Sequence, residues 1–240
     1  MNQGASSTDG GAAERPNSRF DFGLMAETYD LWYEKPVGRV FDAIEKRAVS
    51  RVLPGPRPGA RLLDVGCGTG HWSAFFSSRG YAVTGVDIAP EMVAFARRKQ
   101  IAGASFEVAD AHELPFGAGR FDVTAAVTTL EFVRQAEAVL REMVRCTRSP
   151  GGMVLVGVLN ALAAVNIERQ DAGQAPYAGA RLFSPGEVEA LLEPHGRVKV
   201  CVAGFVPRRR AVLFLAPLAD LLGRVFRSQR GAFIVGRAVM

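Results

Sequence analysis

The stretch Asp64-Val-Gly-Cys-Gly-Thr-Gly70, directly after the apolar run Arg61–Val65, constrains this chain more than any other. Glycines at alternate positions suit a turn that takes positive φ and lets a ligand approach backbone where a Cβ would clash. A buried strand leads in and helically spaced residues lead out, so unpaired helix N–H groups would face that turn. Such a turn can cradle a phosphate or a carboxylate, and spacing separates the options. The dinucleotide pattern G-x-G-x-x-G needs a glycine five residues after Gly66, where His71 stands. The P-loop pattern is absent as well. What remains is G-x-G-x-G preceded by Asp64.

Around the turn, short apolar runs alternate with helical ones. Strands are expected at Arg61–Val65, 81–86, 105–108, 121–127 and Met153–Leu159, and helices at 71–79, 91–99 and 135–146. Gly80 reads as a helix C-cap, and Pro90 as a first-turn proline. Alternation of this kind predicts a parallel sheet covered by helices on both faces. Asp87 then falls at the carboxyl end of the second strand, where an acidic group can accept hydrogen bonds from ribose hydroxyls. Asp110 closes the third strand, placed to accept from an adenine amino group. Open α/β sheets bind ligands at these strand ends.

LLDVGCGTGHWSAFFSSRGYAVTGVDIAPEMVAFAR resembles the first two motifs of the class I S-adenosylmethionine-dependent methyltransferases. FEVADAHELPF and GRFDVTAAVTTLEFV resemble their third and fourth, and LREMVRCTRSPGGMVLVGVLN the helix, turn and fifth strand that follow. The resemblance spans about residues 20–160 and is nearest to the small-molecule branch that includes the ubiquinone/menaquinone C-methyltransferases. It implies a Rossmann-like, doubly wound seven-stranded α/β sheet with the last strand antiparallel. It also implies transfer of a methyl group from S-adenosylmethionine to a small organic acceptor, leaving S-adenosylhomocysteine.

By that resemblance Gly66, Cys67 and Gly68, within the turn bounded by Asp64 and Gly70, run along the methionine part of the cofactor. Asp87 holds the ribose, and Ile88 and Met92 flank the adenine. Asp110 and Ala111 meet its edge, while Val127 and Thr128 border the transferring methyl. Upstream, Ala26-Glu-Thr-Tyr29-Asp-Leu-Trp32 resembles the A-x-x-Y-D-x-W segment whose tyrosine folds over the cofactor, which nominates Tyr29. Glu131 faces the acceptor side by the same analogy. With His71, His112 and His195 it completes the set of titratable candidates, none of which is assigned a catalytic role.

Beyond Asn160 the regular pattern stops. Residues 161–183 read as a loop or lid, Ser184-Pro185 as the start of a helix, and 198–205 and 232–239 as two further strands. Residues 1–18 are rich in Gly, Ser, Ala and Asn, and are expected to be disordered ahead of a single domain over 19–240. Residues 181–240 carry 10 Lys/Arg against 4 Asp/Glu, while residues 1–180 carry 19 against 20. That basic excess surrounds an insertion at 207–231 in which Leu218, Leu221, Leu222, Val225 and Phe226 recur at helical spacing. The expected arrangement packs this stripe on the domain or uses it as a lid; the alternative lays residues 208–230 on an anionic membrane surface.

Three dispersed cysteines without a Cys/His cluster give no metal site, and fit a reducing, cytoplasmic compartment. The Val127-Thr-Thr-Leu-Glu-Phe132 segment lacks the motif of base amino-group methylation, and no RNA-binding appendage is recognisable, so nucleic acid is not the expected acceptor. Two rivals stand beside the enzyme reading. One is a non-catalytic binder of the cofactor or scaffold; the other is an RNA-modifying enzyme that uses the basic tail.

Overall fold

The computed structural model describes residues 17–207 and 210–240. After a short 3-10 turn at Phe22–Met25, the elements in chain order are α1 (Leu31–Glu34), α2 (Pro36–Val52), β1 (Arg61–Val65), α3 (His71–Ser78), β2 (Ala82–Asp87), α4 (Pro90–Arg98) and β3 (Ala104–Val108). They continue with β4 (Val123–Val127), α5 (Ala136–Cys146), β5 (Met153–Leu159), α6 (Ala164–Asp171), α7 (Pro185–Leu192), β6 (Arg197–Ala203), α8 (Ala216–Val225) and β7 (Phe233–Val239).

The strands form one seven-stranded sheet in the order β3-β2-β1-β4-β5-β7-β6. All pairings among the first five strands are parallel, and β7 runs antiparallel between β5 and β6. β4 and β5 are buried along their whole length, as parallel strands covered on both faces must be. On one face Leu63, Val154 and Val156 meet Val139, Leu140 and Met143 of α5 and Val188 of α7. On the other, Leu62 and Leu155 meet Ile44, Ala48 and Val52 of α2 and Trp72 and Phe76 of α3. The register places Val65, Asp87, Val108 and Val127 together at the carboxyl ends of four adjacent strands.

Several expectations shift by a residue or two. The fourth strand starts at Val123, and Phe121 makes only an isolated bridge to Thr147. The sixth strand stops at Ala203 because Gly204 turns the chain at φ +83°. Ser184 does cap α7: its hydroxyl accepts the Glu187 N–H at 3.3 Å, and the Glu187 carboxylate accepts the Ser184 N–H at 2.7 Å.

Three differences are larger. The sequence reading assigns no element to α2, a helix of 17 residues that covers one face of the sheet. The segment expected as a loop at 161–183 contains α6. That helix buries Asn166, whose side-chain amide donates to the carbonyls of Asn160 and Ala232, so no apolar stripe announces it. At the amino end, residues 1–16 of the stretch expected to be disordered lie outside the described residues. Asn17 and Ser18 are placed, Ser18 in an antiparallel bridge with Val133.

α8 is inverted relative to expectation. Its inward residues are small or polar: Ala216, Asp220 and Gly223. Asp220 accepts the Gly204 N–H at 2.9 Å and pairs with Arg224, while Gly223 lies flat on the Phe205 ring, where a Cβ would come within 2.4 Å. The apolar stripe therefore faces outward, with Val225 64% and Phe226 78% exposed. Of the arginine run before it, Arg208 and Arg209 lie outside the described residues. Among the described residues no helix is long and apolar enough to cross a membrane.

Candidate functional site

The glycine turn is folded back on β2. The N–H groups of Gly66 and Cys67 donate to the Val86 carbonyl at 2.8 and 2.9 Å. Gly66 and Gly68 take φ +71° and +52°, a region glycine enters without steric penalty. A Cβ on Gly66 would come within 2.3 Å of the Thr129 side chain, whereas one on Gly68 would project into open space, filling the cradle. Asp87 braces this turn from the neighbouring strand. One carboxylate oxygen accepts the Gly68 N–H and the other the Ala89 N–H, both at 2.9 Å.

A slot opens along these strand ends. Gly66, Gly68 and Asp87 line it together with Ile88, Met92, Asp110 and Ala111. Tyr29 and Thr128 complete its wall, Tyr29 packing with Phe22 against the cluster of Ala89 and Met92. The remaining sequence candidates stand behind this wall rather than in it. Asp64 is buried and accepts the Ser73 hydroxyl at 2.6 Å, with burial foremost in pushing its carboxyl up to about 7. Burial likewise raises the Cys67 thiol well above its ordinary value, which suits packing and not nucleophilic chemistry. Gly70 ends the turn at φ +80°, and Val127 is part of the core.

Asp110 is more committed than expected. One of its oxygens accepts the backbone N–H of His112 at 2.9 Å and meets His112 Nδ1 at 2.7 Å, and the other accepts the side-chain amide of Asn17. Burial would raise its carboxyl, but these hydrogen bonds outweigh it and hold the group below the ordinary carboxylate range. With Nδ1 turned to a carboxylate, the other ring nitrogen of His112, Nε2, is left for a further hydrogen bond. That atom is buried, and it has no partner among the described residues. An adenine edge placed here would thus meet one remaining lone pair of Asp110 and the ring nitrogen of His112.

A second cavity of about 370 Å³ adjoins the slot. Phe22, Tyr29, Thr128 and Phe132 line both. Thr128 sits at this junction with φ +51°, a conformation a threonine rarely adopts, and it donates its N–H to the Gly157 carbonyl at 2.7 Å. Phe22 and Phe132 meet edge to face with centroids 4.8 Å apart. Burial pushes the Tyr29 hydroxyl up to about 12, so it stays protonated and acts as a donor. The far wall comes from α1, α2, α6 and the turn after it, with Trp32, Tyr33, Phe41, Glu45, Arg169 and Tyr177.

The other sequence candidates have structural engagements. His71 stacks on Tyr33 at 3.6 Å between centroids and meets Asp42 at 2.7 Å, tying α3 to α2. Glu131 lines neither cavity: it is fully buried, and its carboxyl accepts the Leu159 N–H at 2.6 Å. His195 lies in a turn after α7. Asn17, Phe22, Thr129 and Phe132 enter the site without having been singled out. A cluster of aromatics at Phe20, Phe22 and Tyr29 was the available signal for Phe22; Glu45 and Arg169 had none. Among the described residues no group of three His, Cys, Asp or Glu side chains can hold a metal ion.

Residues 63–156 match the methyltransferase domain family. The demethylmenaquinone methyltransferase of Beutenbergia cavernae is 38% identical over 135 residues, which cover 56% of this chain and 55% of that protein. A malonyl-acyl-carrier-protein O-methyltransferase of Serratia marcescens is 36% identical over 104 residues, 43% of this chain and 40% of the relative. The chain spans about half the length of the curated relatives it matches. Among solved structures, a SAM-dependent methyltransferase of Thermotoga maritima superposes with a TM-score of 0.70 at 25% identity, over 91% of this chain and 97% of that one.

Proposed function

We propose that this chain, a member of the class I S-adenosylmethionine-dependent methyltransferases by its domain at residues 63–156 and by its sheet, methylates a small organic acceptor. The observation that carries this reading is the junction of the two cavities. A slot lined by Gly66, Gly68 and Asp87 shares Tyr29 and Thr128 with an aromatic chamber large enough for a second small molecule.

Bound in the slot, S-adenosylmethionine supplies a methyl group on a sulfonium, and S-adenosylhomocysteine remains after transfer. The residues present suit it. Gly66 and Gly68 take the methionine part where Gly68 leaves room for it, and Asp87 takes the ribose hydroxyls. Ile88 and Met92 flank the adenine, whose edge meets Asp110, Ala111 and His112. Tyr29 and Thr128 border the methyl, with Val127, Asp64, Cys67 and Gly70 holding the turn from behind. In-line transfer needs orientation and exclusion of water more than a dedicated acid or base, and the shared aromatic walls supply both. We treat residues 19–240 as one domain, with 161–183 as part of the acceptor wall. A chamber of this kind favours a small molecule over a polynucleotide, and three unpaired cysteines favour a reducing, cytoplasmic setting.

The test is transfer of labelled methyl from S-adenosylmethionine to a panel of phenols and quinols. Label in the organic product, matched by S-adenosylhomocysteine, is the expected result. Tight cofactor binding with no turnover on any acceptor would instead favour a non-catalytic binder.

We also propose that the outward stripe of α8 meets an anionic membrane surface. Exposed Leu218, Leu221, Val225 and Phe226 are flanked by exposed Arg227 and Arg230, the composition that suits an anionic interface. Cosedimentation with vesicles should require an anionic lipid and weaken with salt. Phe226→Glu should reduce it about ten-fold or more, since a buried Phe contributes roughly 1.5–3 kcal/mol. The melting temperature should not move. A protein that stays in the supernatant with anionic vesicles would refute the membrane assignment.

A further inference from the structure

Two charged side chains in the second cavity have hydrogen-bonding capacity that the protein leaves unused. The Arg169 guanidinium lies 4.9 Å from the Tyr177 ring centroid, 5.2 Å from that of Trp32 and 5.6 Å from that of Phe41. Those rings interact with the cation but accept none of its five N–H donors in the plane. Among the described residues the Arg169 side chain makes no hydrogen bond and no ion pair. Glu45, on α2, lines the same cavity and is equally without a hydrogen bond or ion pair among the described residues. Burial, then the charge of Asp42, pushes its carboxyl up to about 7, against the opposing pull of Arg169 and Lys46.

The chemistry of the missing partner follows from this pair. A planar oxyanion matches the guanidinium fork, which binds carboxylates through two parallel N–H bonds. An ammonium acceptor would need the aromatic faces that Arg169 already occupies. It would also face a like charge a few ångströms away, which lowers affinity by roughly two orders of magnitude at an effective dielectric near 20. Glu45 cannot offset that fully, because near neutral pH it carries only part of its charge. An oxygen or nitrogen that still bears hydrogen suits Glu45, which can accept from it. The surrounding rings favour a flat, conjugated body.

Resting on the methyl-transfer reading above, we propose that the acceptor is an aromatic or conjugated carboxylic acid. Its carboxylate is gripped by Arg169, and a hydroxyl or amine hydrogen is directed to Glu45. Arg169 is then the residue that sets specificity, and it acts without touching the cofactor slot.

Three near-isosteric probes test this: protocatechuate, its primary amide, and the corresponding dihydroxybenzylamine. Each is titrated calorimetrically into the full chain saturated with S-adenosylhomocysteine. The carboxylate should bind about ten- to a hundred-fold more tightly than the amide, as expected for charge-assisted hydrogen bonds. The amine should bind most weakly. Arg169→Gln should erase the preference for acid over amide while leaving S-adenosylhomocysteine affinity intact, and that intact affinity also reports correct folding. Arg169→Lys, which keeps the charge but loses the fork, should retain part of the preference. Equal binding of acid and amide, tighter binding of the amine, or no binding of any probe to the loaded protein would overturn the assignment. Failure of the wild type to take S-adenosylhomocysteine at all would strike instead at the methyl-transfer reading, so the two failures are distinguishable.

Discussion

Asp87→Ala is expected to lower the affinity for S-adenosylhomocysteine by about two to three orders of magnitude, measured calorimetrically on protein that remains folded. Two effects add. In the proposed slot two ribose hydroxyls would donate to this carboxylate, each bond contributing roughly 1.5–3 kcal/mol, and the variant would lose both. The same carboxylate accepts the Gly68 and Ala89 N–H groups, so the variant also releases the glycine turn and the entry to α4. Asp87→Asn keeps an acceptor for one of these and should fall between wild type and alanine. The sheet itself should survive, because Asp87 sits at a strand end and not in the core. Circular dichroism checks that point. Unchanged affinity in the alanine variant would mean that the ribose lies elsewhere, and the assignment of the whole slot would go with it.

Glu131→Gln should stabilise the protein, by a margin that grows with pH. Burial pushes the Glu131 carboxyl up to about 8 in the folded state, against an ordinary value near 4.3 in the unfolded chain. Between those values the unfolded chain has released a proton that the folded protein still holds. Stability therefore falls as pH rises through the window, with a slope approaching about 1.4 kcal/mol per pH unit. Below the window the group is protonated in both states and makes no difference. Glutamine cannot ionise, yet it keeps an oxygen for the Leu159 N–H that Glu131 now serves at 2.6 Å. Glu45 and Asp64, both raised to about 7, slope the curves of both proteins, and the divergence between the two reports Glu131 together with its coupling to the Glu45 charge. Thermal melts from pH 5 to pH 8 should show the curves diverging. Parallel curves would show that Glu131 is already ionised in the folded protein.

What could be read from the sequence was what local spacing encodes. The apolar run of β1, the glycine turn and the acids at the ends of β2 and β3 each lie within a few residues of their partners, and they fall where expected. α2 is not assigned in the sequence reading although Phe41, Ile44, Ala48 and Val52 recur at i, i+3, i+7 and i+11, a helical spacing that the sequence does carry. α6 was missed because a polar Asn166 holds its inner position. The orientation of α8 went against the usual rule, since Asp220 and Gly223 make closer contacts with the Gly204–Phe205 bend than leucines could. The second cavity was invisible for a different reason. Glu45 and Arg169 come from α2 and α6, far apart in the chain, to line one cavity, and no local pattern marks either residue.

The segment that begins at Asn17 has a consequence for how the two small molecules influence each other. It carries Phe22 and Tyr29, which are walls of both cavities, and it is clipped to the glycine turn where the Thr69 hydroxyl donates to Asp30 at 2.6 Å. Asp30 also pairs with Lys99 at the end of α4. If the proposed cofactor orders this strap on binding, it would complete the acceptor's chamber and so raise the acceptor's affinity. Linkage makes that effect reciprocal, by the same factor in each direction. On the proposed methyl-transfer reading, the two ligands would then be cooperative partners through this shared wall.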